Sequence, residues 1–446
     1  MTSEDVVRRY AAMPVPRYTS YPTAMEFTPA VGPAEHSLWL RRLDPRESVS
    51  IYLHVPYCRA LCHYCGCHTK LAVRDEVIRA YGRALEEEIA LVGEMLPARI
   101  PTARVAWGGG TPSILGRVGL ASALRVLERH VELKPGSEHS IELDPRNVDL
   151  ELTRFLADQG INRVSLGVQD LDPRVQEAIG RIQPASIVEH AVDLLRVAGI
   201  NRINFDLIYG LPHQTVETIR ATCAAVAQMN PQRIAFFGYA HLPGRRANQK
   251  RIDASALPDA VQRFDQARAI AEFFEDRGFI PIGIDHFAAP DDGLALAARE
   301  GRLHRNFQGY TDDDRPILIG FGASAVSRLP DGFVQNVADN PSYCRKVASH
   351  TLATMRGWRF DEADRARAQI IEELMCNFRV DLGAVDPQHD YADELALLRP
   401  LAADGMLELK GGTIRMTRTG RSIVRVVAAV FDRYRTQEEK RFSPAI

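Results

Sequence analysis

The chain has no uninterrupted apolar run long enough to cross a bilayer, and residues 1–9 lack the apolar core of a secretion signal. The expectation is a cytoplasmic protein with no membrane partner. It also lacks a charge imbalance: 55 lysines and arginines stand against 57 aspartates and glutamates, a formal net charge of −2. No global field draws such a chain to nucleic acid, so an anionic ligand has to be met by local arginines. There is no low-complexity tract and no close repeat. Cysteine is scarce, seven in 446 residues, yet four of the seven crowd together as Cys58, Cys62, Cys65 and Cys67. In a reducing compartment that crowding points to metal rather than disulfides. Cys223, Cys344 and Cys376 stand apart, and packed thiols are expected there.

A length of 446 residues exceeds what one hydrophobic core usually organises, about 250–300, so a large domain with a smaller one is expected. Short segments rich in β-branched and aromatic residues fall at 49–55, 104–107, 140–143, 163–168, 202–207 and 233–239. Helical patterns fall between them, at 75–95, 119–131, 150–159, 187–198 and 215–229. This alternation indicates parallel βα units. Six such units make an α/β protein, either a partial (β/α)6 TIM-like barrel or an open doubly wound sheet. A further helix is expected over 259–278 and strands over 282–285 and 317–322.

Beyond residue 360 the pattern changes. Helices at 361–378 and 392–403 precede two short strands around Gly411 and Gly412, and a last helix covers 420–435. That reads as a small, mainly helical C-terminal domain. Before residue 45, Pro14, Pro16, Pro22, Pro29 and Pro33 read as an extended arm. The expected division is an arm or lid over 1–45, a barrel domain over 46–358 and the C-terminal domain over 359–446.

The cysteine loop runs Cys58-x3-Cys62-x2-Cys65, with Cys67 two residues on. Thiolates are soft ligands suited to iron–sulfur clusters. Three of them on a four-iron cubane leave one iron open for a small molecule's amino and carboxylate groups. A closed zinc site completed by Cys67, His63 or His68 is the competing reading. The loop follows the first strand, at the end of a βα array where such folds keep their chemistry. Tyr52 and His54 share one face of that strand. Gly108, Gly109, Gly110 and Thr111 follow the second, where glycines permit close backbone approach. Glu142, Gln169, Asp206 and His241 end or follow the next four strands, so all would ring one cavity.

These motifs resemble the radical S-adenosylmethionine (SAM) superfamily and, within it, the oxygen-independent coproporphyrinogen III oxidase family. The resemblance covers nearly the whole chain, from Pro16-Arg17-Tyr18-Thr19-Ser20-Tyr21-Pro22 in the arm to Cys376-Asn377-Phe378-Arg379. It implies a [4Fe–4S] cluster on Cys58, Cys62 and Cys65, with Cys67 not a ligand, and two molecules of S-adenosylmethionine. Tyr52, Gly109, Glu142 and Val326 match positions at the first molecule. Tyr64, Gly110, Thr111, Gln169, Arg181, Asp206 and Ala240 match positions at the second. Tyr64 stands where phenylalanine is common in the family, and Val326 where isoleucine is common.

The implied reaction turns two propionates of coproporphyrinogen III into vinyl groups by way of a 5′-deoxyadenosyl radical, giving protoporphyrinogen IX in haem synthesis. No side chain then acts as acid or base catalyst. An electron donor such as flavodoxin or ferredoxin, an unnamed acceptor and a monomeric state are also expected. Arginine grips carboxylates bidentately, which makes Arg17 and Arg305, with His304 and Gln308 beside them, the substrate-binding candidates. Three rivals are a haem-trafficking paralogue, a radical enzyme acting on RNA through the arginines of 420–435, and a zinc-stabilised protein without activity.

Overall fold

The computed structural model describes residues 3–435; the outermost parts of the expected arm and C-terminal domain lie outside the described residues. Six strands stand side by side in chain order, all parallel: β1 (Val49–Val55), β2 (Ile100–Gly109), β3 (Val131–Leu143), β4 (Arg163–Gln169), β5 (Arg202–Tyr209) and β6 (Arg233–Gly238). A doubly wound sheet reverses its order at a switch point, and this one does not, so the wall is that of a partial (β/α)6 barrel. Helices Asp75–Gly93, Gly116–Leu127, Leu150–Asp158, Ala185–Val197 and Val216–Gln228 occupy the crossovers. In β1 the alternate residues Val49, Ile51, Leu53 and Val55 are buried in the main core, which leaves Tyr52 and His54 for the opposite face.

The sheet continues past both ends of this wall. Leu318–Phe321 pairs parallel with β1, and three antiparallel strands (Val326–Leu329, Gly332–Asn336 and Thr354–Arg359) follow. His286–Ala288 and Ile280–Ile282 extend it antiparallel beyond β6. The result is a twelve-stranded sheet in which β1 and β6 bond to these flanks and not to each other.

One end of the wall is filled with charge. Arg163 donates to Glu138 at 2.8 Å and pairs with Asp292 at 3.3 Å. Arg233 Nε reaches Asp292 at 2.7 Å, and Arg104 reaches Asp312 at 2.6 Å. Arg163 and Arg233 are the first residues of β4 and β6, so this network floors the barrel at the end opposite the cysteine loop.

Four expectations need correction. Residues 283–285, expected as strand, form the turn between the strands Ile280–Ile282 and His286–Ala288. Strand β3 begins at Val131, not 140, and the preceding helix stops at Leu127; Pro135 and Gly136 inside the strand disguise it. The arm is not extended throughout, because Ser3–Ala11 and Pro33–Arg41 are helices. Pro33 sits at a helix start, where its missing N–H costs nothing. The expected helix over 420–435 is broken into the turn Thr419–Ile423, a short helix Val424–Ala428 and the turn Ala429–Phe431. Ile423, Val424, Val426 and Val427 are β-branched and buried, so packing sets the segment's shape. Its arginines are engaged in different ways: Arg425 is buried, Arg433 pairs with Asp361 at 2.6 Å, and the exposed Arg421 lies over the Phe378 ring at 4.9 Å.

A second core holds Ile370, Leu374, Val424 and Phe431 of the C-terminal part together with Val7, Val15, Tyr18 and Tyr21 of the arm. Arg425 pins the arm from beneath, donating to the carbonyls of Val15 at 2.6 Å and Pro16 at 3.0 Å.

Candidate active site

The carboxyl ends of β1–β6 open on a cavity of about 1140 Å³. Cys58, Cys62 and Cys65 line it from one side. Their loop is held from outside the βα array by two neighbouring amides that the sequence does not single out. Asn248 donates to the carbonyls of Cys62, His63 and Cys65 at 3.0, 3.1 and 3.0 Å. Gln249 donates to the carbonyls of Tyr64 at 2.8 Å and Ala240 at 3.1 Å. Both belong to the short turn Ala247–Arg251, whose polar composition carries no periodic signal.

Donors converge on the sulfurs. The Thr111 hydroxyl donates to Cys58 Sγ at 3.5 Å, and Arg181 Nη1 donates to Cys62 Sγ at 3.5 Å. Burial pushes the Cys58 thiol up, while the hydrogen bond with Cys67 brings Cys65 down to about 7. Among the described residues no three His, Cys, Asp or Glu side chains converge on the position of a single ion. A cubane takes its thiolates at separate metal corners, farther apart than one zinc ion holds them. The histidines of the loop are engaged elsewhere: His63 Nδ1 donates to the Ala178 carbonyl at 3.2 Å, and His68 Nε2 to the Ala338 carbonyl at 2.6 Å.

The glycine run forms a cradle beside the thiols. Gly109 has φ +111°, and a Cβ there would lie 2.5 Å from the His54 ring. A Cβ on Gly110 would lie 2.5 Å from the Tyr57 carbonyl oxygen. The Gly109 amide donates to Glu142 Oε2 at 3.0 Å. Burial, with Asp206 nearby, raises Glu142 to about 7. Burial raises Asp206 also, although Ser165 donates to it at 2.7 Å. Gln169 closes β4 with φ +69°, a left-handed conformation that turns the chain at the rim. Arg181 donates to the Gly167 carbonyl at 2.7 Å and pairs with Asp144 at 3.3 Å, yet its buried Nε has no partner. An unsatisfied buried donor, two acids awaiting cations or hydroxyls, and backbone that admits no Cβ together fit a polar ligand seated over the thiols.

Tyr64, Thr111, Ala240, Arg17, Arg305 and Gln308 also line the cavity. Four expected residues do not. His241, expected to ring the cavity, lies outside its lining, with Nδ1 3.0 Å from the Tyr239 hydroxyl. Tyr52 lies behind the glycine run, its hydroxyl 3.0 Å from His54 Nδ1. Val326 packs against Phe27 and Phe333. His304 bonds Glu372 of the helix Glu362–Asn377 at 3.2 Å, joining the barrel to the C-terminal part. Conversely, Arg263 and Arg425 line the cavity although the sequence reading did not select them as ligands. Each lies in a helical stretch, where an arginine reads as surface.

The radical SAM superfamily model matches residues 52–226, and the HemN C-terminal domain model matches residues 360–423. The chain is 44% identical over 433 residues to the oxygen-independent coproporphyrinogen III oxidase of Bradyrhizobium diazoefficiens, covering 96% of each chain. It is 37% identical to the Escherichia coli protein of that name, covering 95% of this chain and 94% of that one. The solved structure of the E. coli coproporphyrinogen III oxidase HemN, described as a radical SAM enzyme, superposes with a TM-score of 0.89 at 37% identity. That match covers 94% of this chain and 98% of the other.

Proposed function

This chain belongs to the oxygen-independent coproporphyrinogen III oxidases of the radical SAM superfamily, and from that membership we infer its reaction and the work of its residues. It is an oxidoreductase of haem synthesis that uses a [4Fe–4S] cluster and S-adenosylmethionine. Coproporphyrinogen III becomes protoporphyrinogen IX: two propionates each lose carbon dioxide, one hydrogen atom from the β-carbon and one electron, leaving vinyl groups. The bound cluster and S-adenosylmethionine supply the one thing side chains cannot, a carbon radical strong enough to take hydrogen from an unactivated C–H bond.

The protein's own residues hold and exclude. Cys58, Cys62 and Cys65 hold the cluster, with Asn248 fixing the loop's carbonyls so that the three sulfurs keep their spacing. The close approach that Gly109 permits, and the carboxylate of Glu142 held by the Gly109 amide, receive the amino-acid end of the first cofactor molecule. Arg181, Gln169 and Asp206 take the second molecule beside Tyr64, Gly110, Thr111 and Ala240. Tyr52 and Val326 act on the first position from behind, through the glycine run and the apolar layer. The Glu142 carboxyl, protonated to about pH 7 when the site stands open, ionises on meeting an ammonium.

The barrel domain (46–358) carries the chemistry, and the arm (1–45) with the C-terminal domain (359–446) covers the open rim and keeps water from the radical. The protein works in the cytoplasm as a monomer with a flavodoxin- or ferredoxin-like electron donor. Among the described residues no helix is long and apolar enough to cross a membrane.

The observation that carries this reading is three thiols of one loop facing a glycine cradle and two half-buried acids inside a single cavity. The test is anaerobic reconstitution with iron and sulfide, followed by product analysis with coproporphyrinogen III and S-adenosylmethionine. Serine at Cys58, Cys62 or Cys65 should abolish iron loading and the vinyl product, whereas Cys67→Ser should keep iron. A haem-trafficking protein would load iron and leave coproporphyrinogen unchanged, and that outcome would overturn the reaction assigned here.

A further inference from the structure

Away from the thiols, the cavity carries a concentration of positive charge. Arg263 rides on the helix Ala260–Glu275, whose first turn is fixed by a reciprocal cap between Asp259 and Gln262. Its guanidinium lies over the Tyr209 ring at 5.5 Å, and Nη1 donates to the Tyr239 carbonyl at 2.9 Å, while Nε is buried without a partner. Arg17 comes from the arm and donates to the Gly238 carbonyl at 3.1 Å. A Cβ on Gly238 would lie 3.1 Å from Arg263 Nη2, so the two cations meet at that residue. Arg305 stacks on Tyr310 at 4.3 Å, with Nε and Nη1 both buried and unpartnered.

The acid that acts on this group, Asp285, is already bound to His286 Nδ1 at 2.6 Å. Burial first, then the repulsion of Arg17 and Arg305, lowers the neighbouring Arg425 to about 10. Among the described residues, Arg17, Arg263 and Arg305 thus gather around one engaged carboxylate, and an anionic ligand would balance their charge.

We propose that Arg263, together with Arg17 and Arg305, anchors the two carboxylates of the porphyrinogen that the reaction leaves intact. The proposal rests on the reaction assigned above. The reason for choosing the retained pair is chemical. A carboxylate gripped by guanidiniums is stabilised as an anion, and departure as neutral carbon dioxide sacrifices that stabilisation, so a tight ion pair slows decarboxylation. A cationic corner is therefore the place for groups that must stay, and it fixes which edge of the macrocycle is presented to the thiol loop. Arg263 is here a binding and orienting residue.

The test measures binding without turnover, with no S-adenosylmethionine added. Anaerobic ultrafiltration of the iron-loaded protein would use three ligands: coproporphyrinogen III, protoporphyrinogen IX, which keeps only the retained carboxylates, and the tetramethyl ester of coproporphyrinogen III. Arg263→Gln should weaken the first two by about ten-fold or more and leave the ester unchanged. Arg263→Lys should recover only part of the loss. Arg305→Gln is the second variant, expected to behave alike, and melting temperatures of all variants report folding. Weakening of coproporphyrinogen III alone would overturn the proposal, because the arginines would then hold the groups that react. Unchanged affinity for both acids would overturn it too. Parent protein that binds none of the three ligands would overturn the reaction assigned above, and the anchor with it.

Discussion

Glu88 shows how a single buried group sets a pH response away from the chemistry. It is 2% exposed and accepts from the Gly322 amide and Asn336 at 2.6 Å and from the Tyr343 hydroxyl at 2.7 Å. Burial raises its carboxyl from 4.5 to about 7 against the pull of those donors. The folded state thus holds a proton that the unfolded chain has released. Stability from this group is full below about pH 4.5 and is lost as pH rises through 7. In Glu88→Gln a neutral amide of the same shape replaces the titrating carboxyl. The gap in unfolding free energy between variant and parent should move by about 2–3 kcal/mol in the variant's favour between pH 4.5 and 7.5. Urea denaturation at several pH values checks this, and a pH-independent gap would refute it. Nothing in the sequence marks Glu88, because its partners come from 322, 336 and 343. Cys58, Cys62 and Cys65 were legible because their partners are each other. Asn248 and Arg263 were not, because each acts on a segment distant in the chain.

At the scale of elements, the strand–helix alternation was readable wherever a strand was short and free of proline and glycine, as in β1 and β5. It failed in β3, where Pro135 and Gly136 interrupt the pattern, and in the last segment, where burial on all sides overrides helical periodicity. The sequence did not disclose the barrel floor either, since Arg104, Arg163 and Arg233 lie on three strands and Asp292 and Asp312 on the loops that return beneath them. Asp292 is the key of that floor: it pairs with Arg163 and Arg233 and also caps the helix Gly293–Arg299. Asp292→Ala leaves two buried guanidiniums short of charge and a helix uncapped. A loss of about 3–5 kcal/mol is expected in urea unfolding. A loss below 1 kcal/mol would show that the floor's charges are solvated.

At the scale of the whole molecule, the arm and the C-terminal part form one core. Val7, Val15, Tyr18 and Tyr21 are buried among residues of 370–431, and Arg425 binds the arm's backbone. Deleting residues 1–21 should strip amide protection from 370–431 in hydrogen exchange while leaving β1–β6 protected. Equal protection in both regions after the deletion would contradict a shared core. Prolines in the arm suggested an extended strap, and composition alone could not reveal that residues between those prolines find partners as far as 410 to 414 positions away.

That shared core has a consequence for the order of events in the cell. Residues 6–21 leave the ribosome long before residues 370–431, and until those arrive the arm lacks most of its apolar partners. The parallel wall and its thiol loop lie between the two and can assemble in the interval. The rim is therefore the last part of the fold whose neighbours are complete, because both partners in that core must have been synthesised first.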